Sequence, residues 1–249
     1  MASEDAQDAG VAMNPDWLSL LSTRYFDLNV VVEVFPLLLK GVGTTIWVTL
    51  VGWGLAASVG FPLLLLRRSR FRPLGWIVGG FIEFVRSTPI LVQIYFYFYV
   101  LPSAGVVLDP ISTGLLALTI HYGCYMSEAY RSGLEAIHPG QWDAVTALGF
   151  SKLDVYRHVI LPQMVPPLIP ALGNFLILMI KDSPLLASIG VVEMMYYATG
   201  YSMDTFRYLE PITIVGLIFL ALSLASASAI RFLEARVGRK WLGREELRD

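Results

Sequence analysis

The chain has 249 residues, 55% of them hydrophobic and 15% charged, with a formal net charge of −2 and a mean hydropathy of +0.61. This is too apolar for an ordinary soluble domain, and the spans that follow make an all-α, polytopic membrane protein the expected fold class. Its one cysteine, Cys124, excludes an intrachain disulfide, and no His-Glu-x-x-His spacing occurs, so no metal ligands are assigned.

The N-terminal MASEDAQDAG is acidic and has no basic region ahead of an apolar one, so it does not read as a secretory signal. Residues 1–33 are expected to form an extracytoplasmic or interfacial arm. A membrane domain is expected over 34–236, with a cytoplasmic loop at 131–163, and a cytoplasmic tail over 237–249. About 20 apolar residues are needed to cross ~30 Å of hydrocarbon. The first stretch to meet this is 43–66.

A second span is expected at 75–101, interrupted by Glu83 and Arg86, with Pro89 following that pair. A charge at the centre of a span costs about 2.5–3.5 kcal/mol. The pair is therefore placed at one membrane face as an i,i+3 ion pair, and ILVQIYFYFYVLP completes the crossing. Tyr95, Tyr97 and Tyr99 repeat every two residues, so on a helix they cannot share one face. A third span is expected at 111–130. It carries His121 at mid-depth and, near its end, Glu128, spaced to pair with Arg131.

Between the third and fourth spans lies DAVTALGFSKLDVYRHVILPQ, residues 143–163. A short helix is expected over 141–149, stopped by Gly149, with Trp142, Val145 and Leu148 on one face. A second short helical run is expected to end at Leu161 and Pro162. A helix of about eight residues is not stable alone in water and needs a surface. That surface is either the cytosolic face of the same chain or a groove on another protein.

The fourth span begins near Leu168 and meets Lys181, Asp182, Ser183 and Pro184. Pro184 cannot continue a helix without losing a hydrogen bond, and Ser183 followed by Pro184 suits the start of a new one. One helix is therefore expected to end near Lys181 and a second to run from Pro184 to about Tyr196. Broken helices of this kind border transport paths. The fifth span is expected at 211–230. With five spans, thirteen Lys and Arg residues fall on one side and three on the other. The bias places the N-terminus outside and the C-terminus in the cytoplasm.

The stretch at 143–163 resembles the cytoplasmic loop of permease subunits of ATP-binding-cassette importers. That loop reads Glu-Ala-Ala, three residues, Gly, nine residues, Ile, one residue, Leu-Pro. Here Asp143, Ala144 and Val145 precede Gly149, and Val159 precedes Leu161 and Pro162 at the same spacing. RSTPILVQIYFYFYVLP, SEAYRSGLEAIHPGQWDAVTALG, PALGNFLILMIKDSPLLASIGVVE and RYLEP extend the resemblance from about Leu38 to Arg236 and are similar to the polar amino-acid permease branch. Within it, RSTPILVQIYFYFYVLP, HYGCY, VILPQMVPPLIPALGN and FRYLEPITIVGLIFL are most similar to ectoine/hydroxyectoine permease subunits.

The resemblance implies a non-catalytic subunit of a bacterial cytoplasmic-membrane importer with a type I permease fold. It implies a second permease subunit, identical or a sister chain, two ATPase subunits, and an extracytoplasmic solute-binding protein. Trp142, Asp143, Ala144, Val145, Leu148, Gly149, Leu161 and Pro162 would then couple to the ATPase. No Gly-x-x-x-x-Gly-Lys-Ser/Thr loop occurs, so ATP and Mg would be held by the partner ATPase and no cofactor by this chain. Nucleic acid is not an expected partner.

Polar groups at membrane depth demand a reason. Gln93, His121, Asn174, Lys181 and Asp182 are the candidates for the substrate path. Each has a structural alternative: helix-to-helix hydrogen bonding for Gln93, His121 and Asn174, and complementing helix ends for Lys181 and Asp182. Two other functions compete. A stand-alone secondary transporter normally needs internal repeats and more spans. An intramembrane enzyme built on His121, Glu128 and Asp182 has nothing in the sequence to fix its distances.

Overall fold

The computed structural model describes residues 26–242. Most of the expected N-terminal arm, 1–25, and the end of the expected tail, 243–249, lie outside the described residues. Helix α1, Leu28–Arg67, begins where the Asp27 carboxylate accepts the Asn29 N–H at 2.8 Å. It thus starts inside the segment expected to be the arm. Its 40 residues span about 60 Å, twice the hydrocarbon thickness.

Helix α2, Arg72–Ser87, and helix α3, Ile90–Tyr95, replace the expected second span. A π turn at Phe96–Val100 and a 3-10 turn at Leu101–Ala104 lengthen α3. The two parts meet at 107°, so the expected straight crossing is sharply broken. The break falls at residues 88–89, because Pro89 cannot supply a helical N–H and biases Thr88 toward extended backbone (φ −105°, ψ 132°).

Helix α4, Pro110–Glu135, is capped by Asp109, whose carboxylate accepts the N–H groups of Ile111 and Ser112. Hydrogen bonding from Ser112 holds the Asp109 carboxyl below its ordinary value. Arg131 therefore belongs to this helix and not to a loop. After α5, Pro139–Ala147, helix α6, Lys152–Val155, runs through a π turn at Tyr156–Ile160 into α7, Leu161–Asp182. Pro162 does not end a helix, contrary to expectation; it lies in the first turn of α7. A proline ring clashes with the carbonyl four residues back, and the π turn opens the ladder at that point.

A second correction concerns Ser183 and Pro184. Ser183 is not an N-cap; its hydroxyl donates back to the Ile180 carbonyl at 2.9 Å. The α-helix ends at Asp182, close to the expected Lys181, and passes into a 3-10 segment, Ser183–Ile189, with Pro184 in its first turn, which stops short of the expected Tyr196. The chain turns only at Gly190, at φ 88°. Helix α8, Met194–Thr205, follows, capped by the buried Glu193, and α9 runs Leu209–Leu242, through the start of the expected tail.

Among the described residues, three helical segments are long and apolar enough to cross a membrane: Leu28–Arg67, Lys152–Ile189 and Leu209–Val237. The bent pair α2 and α3 makes a fourth if taken as one crossing. Helix α4 is long enough at 26 residues but less apolar, because protein rather than lipid covers it. Ala117, Leu118, Cys124 and Met126 on α4 are fully buried, and it packs along α1. The main core joins α1 and α4 to α7 through residues such as Ala56, Leu118, Met164 and Met179. A smaller core joins Val34 and Leu38 of α1 to Met194 and Ala198 of α8 and Ile214 of α9. Gly41 makes this second contact possible: a Cβ there would lie 2.5 Å from the Met194 backbone.

Candidate functional site

Two regions carry the candidate residues. The first is α5 and its exit. Val145 is buried and Trp142 half-buried against the main core, where the Trp142 ring meets Tyr156 edge-on at 6.4 Å. Leu148 does not share that face, since α5 ends at Ala147 and Leu148 is 72% exposed. Gly149 adopts φ 70°, a left-handed conformation that glycine takes without a Cβ penalty. The Phe150 N–H closes this turn on the Val145 carbonyl at 3.2 Å, and Ser151 then caps α6. The helix thus holds its own chain by one face. Asp143 and Ala144 stay exposed, and Leu148, Phe150 and Leu153 project at the tip. Leu161 and Pro162 stand one helical run further on, at the base of α7.

The second region lies between α4 and the end of α7. His121 and Tyr122 are buried on α4, and the Tyr122 hydroxyl donates to Asp182 at 2.6 Å. The His121 ring packs on Tyr122 and Tyr125, and Phe175 of α7 closes on both tyrosines at about 6 Å between centroids. His121 Nδ1 is buried without a hydrogen-bond partner among the described residues. The structure therefore unites His121 and Asp182 in one aromatic-walled cluster. Gln93 lies elsewhere. Its amide donates to the Val85 and Thr88 carbonyls at 2.8 and 3.0 Å, bracing the bend between α2 and α3. Asn174 and Lys181 are exposed on the single chain.

Below this cluster, Glu128 gathers arginines from three helices. Arg131 reaches it from the same helix at 2.9 Å, Arg86 from α2 at 4.0 Å, and Arg67 from the end of α1 in a direct hydrogen bond. Arg86 also approaches Glu83 at 3.7 Å and lies over the Tyr125 ring at 5.2 Å. The i,i+3 pairs of Glu128 with Arg131 and Glu83 with Arg86 follow from spacing. The convergence of Arg67 and Arg86 does not. Tyr122, Tyr125 and Phe175 do not stand out in the sequence as site residues either. One signal is present: His121, Tyr125 and Glu128 follow an i, i+4, i+7 rhythm, a polar stripe down an apolar helix.

The fully buried carboxylate of Glu193 is likewise invisible to sequence reasoning. It accepts the Tyr196 N–H at 2.8 Å and the Thr45 hydroxyl at 3.3 Å, tying α8 to α1. Among the described residues no group of His, Cys, Asp and Glu is arranged to hold a metal ion.

Residues 49–239 match the family described as the binding-protein-dependent transport system inner membrane component. A probable amino-acid ABC transporter permease protein of Sinorhizobium fredii is 37% identical over 214 residues, 86% of this chain and 93% of that one. The glutamine transport system permease protein of Escherichia coli is 34% identical over 218 residues, 85% of this chain and 98% of its own length. In a crystal structure of an amino acid ABC transporter with histidines, one chain superposes with a TM-score of 0.79 at 30% identity, over 84% of this chain and 98% of that one.

Proposed function

The chain belongs to the family of binding-protein-dependent transport system inner membrane components, and from that premise we propose how it works and what it carries. It is the permease subunit of an amino-acid ABC importer. Two partner ATPase subunits bind ATP and Mg, an extracytoplasmic binding protein delivers the solute, and a second permease, identical or a sister chain, completes the path. The N-terminus lies outside and the C-terminus in the cytoplasm.

The observation that carries the coupling role is the split character of α5. Trp142 and Val145 fix it to its own chain, while Leu148, Phe150 and Leu153 are left exposed at its tip. An apolar tip of that kind suits a cleft on the ATPase. Three residues separate α5 from α4, and four separate it from the helix that continues into α7. ATP-driven displacement of α5 therefore moves α4 and α7, the two helices that Tyr122 and Asp182 join.

The cargo is a polar amino acid or an amino-acid-derived zwitterion. The Asp182 carboxylate with aromatic walls suits a delocalised or quaternary cation. Exposed Asn174 and Lys181 face the second permease, since a lysine at membrane depth is costly against lipid. Within this class, ectoine and hydroxyectoine are the specific cargo, on the strength of the HYGCY, VILPQMVPPLIPALGN and FRYLEPITIVGLIFL stretches. The competing cargoes are those of relatives named for glutamine and arginine.

The test is uptake of labelled ectoine into proteoliposomes holding the assembled importer, with binding protein outside and ATP inside. ATP-dependent uptake blocked by hydroxyectoine, but not by glutamine, arginine or histidine, is the expected result. Uptake blocked instead by one of those amino acids discards ectoine and keeps the importer. Absence of ATP-dependent uptake of all of them by an active complex removes the cargo class.

A further inference from the structure

Beside the coupling region, and sharing Tyr156 and Leu161 with it, lies an apolar groove away from the His121–Asp182 cluster. It encloses about 480 Å³, within the range of roughly 300–1,000 Å³ typical of ligand sites. Helix α1 contributes Phe61 and Leu65, α4 contributes Leu134, and the opposite wall is Ile160 of the π turn and Met164 of α7. The π turn matters here, because widening the helix at Tyr156–Ile160 shapes that wall.

Arg68 is the one charged residue lining the groove. It stands at the C-cap of α1, and its guanidinium has no hydrogen-bond or ion-pair partner among the described residues. Its neighbours differ. Arg67 is bound to Glu128, and Arg131 to Glu128 and Glu135. The groove therefore combines an apolar floor with a positive charge at its rim that no carboxylate pairs. It lies at the arginine-rich end of the spans, where Arg70 and Arg72 follow directly. A ligand that matches all three features has an anionic phosphate, a hydrocarbon chain and a place at the membrane interface.

We propose that this groove seats one acyl chain of an anionic phospholipid whose phosphate pairs with Arg68. Arginine matches phosphate oxygens with two parallel donors, which a single unpaired guanidinium leaves available. The lipid bridges α1, α4 and α7 next to α5, because Arg68 also borders the recess lined by Leu134, Glu135, Trp142 and Asp143. It stabilises the relative placement of the helices that α5 drives.

The experiment uses the purified importer complex, delipidated and titrated with phosphatidylglycerol or with phosphatidylcholine of the same chains, and read by native mass spectrometry. Wild type is expected to retain phosphatidylglycerol about fivefold better, the value of one charge near a membrane surface. Arg68→Gln, at an exposed and unpaired position, removes that preference. Leu65→Trp fills the groove at an exposed wall position and lowers retention of both lipids. Arg70→Gln leaves the preference intact. Equal retention of both lipids by wild type, or an unchanged preference in Arg68→Gln, overturns the proposal. Loss of the ATPase from Leu65→Trp with lipid retention unchanged also overturns it and makes the groove a protein interface.

Discussion

Tyr122 and Asp182 stand on different helices, 60 positions apart, and share a 2.6 Å hydrogen bond in which the phenol donates and the carboxylate accepts. A hydrogen bond to a charged group in a protected site contributes about 1.5–3 kcal/mol. Tyr122→Phe keeps the ring contacts with His121 and Phe175 and removes only the donor. The expected outcome is a rise in the KM for transport of about tenfold, since Asp182 is then no longer held in place. ATP-dependent uptake kinetics check this. An unchanged KM separates Asp182 from the cargo.

Glu128 is the common partner of three arginines from three segments of chain. Glu128→Gln leaves Arg67 without its counter-charge and leaves Arg86 and Arg131 only Glu83 and Glu135, both more exposed than the 15% of the Glu128 side chain. A loss of about 2–3 kcal/mol is expected, read as a lower melting temperature in detergent. Glu83→Gln is the control. That side chain is 71% exposed, and its pair with Arg86 is expected to matter by less than about 0.5 kcal/mol.

Gly149 at φ 70° closes α5, and a Cβ there would meet no neighbour within 4 Å. Its demand is therefore conformational and not steric. Gly149→Ala is expected to cost about 1 kcal/mol locally, and Gly149→Asp adds a charge at the exposed tip. A charge at exposed Ala144 or Leu148 acts the same way on docking without touching the core. For Gly149→Asp and these tip variants, the expected outcome is an inserted, folded permease with ATP hydrolysis no longer coupled to uptake. Coupled uptake in all of them removes α5 from the coupling role.

Gly41 presents the opposite case, a helical glycine with no room. Gly41→Ala forces α1 away from the Met194 backbone and is expected to cost about 1–3 kcal/mol. Gly43→Ala, two residues on, meets nothing within 4 Å and is expected to be neutral or slightly stabilising. Melting temperatures of the two variants in one detergent decide between packing and general intolerance of α1.

The class of protein, the short helix α5 and its glycine stop are all legible in the order of residues. Apolar length reports a membrane solvent, and an eight- to nine-residue helix closed by Gly149 between two spans is a local signal. The i,i+3 ion pairs are legible too, since they need only helical spacing. Other features emerge only once the helices are packed: the 107° angle between α2 and α3, the continuation of the helix past Pro162 and Pro184, the convergence of Arg67 and Arg86 on Glu128, and the hold of Tyr122 on Asp182. The reason is the solvent. In water, apolar periodicity marks the face that turns inward. In lipid, tails are as apolar as leucine, so the pattern does not distinguish a lipid-facing residue from a buried one. Which helices meet is then set by small residues such as Gly41 and by polar pairs between distant positions. Those become visible only when the helices are side by side.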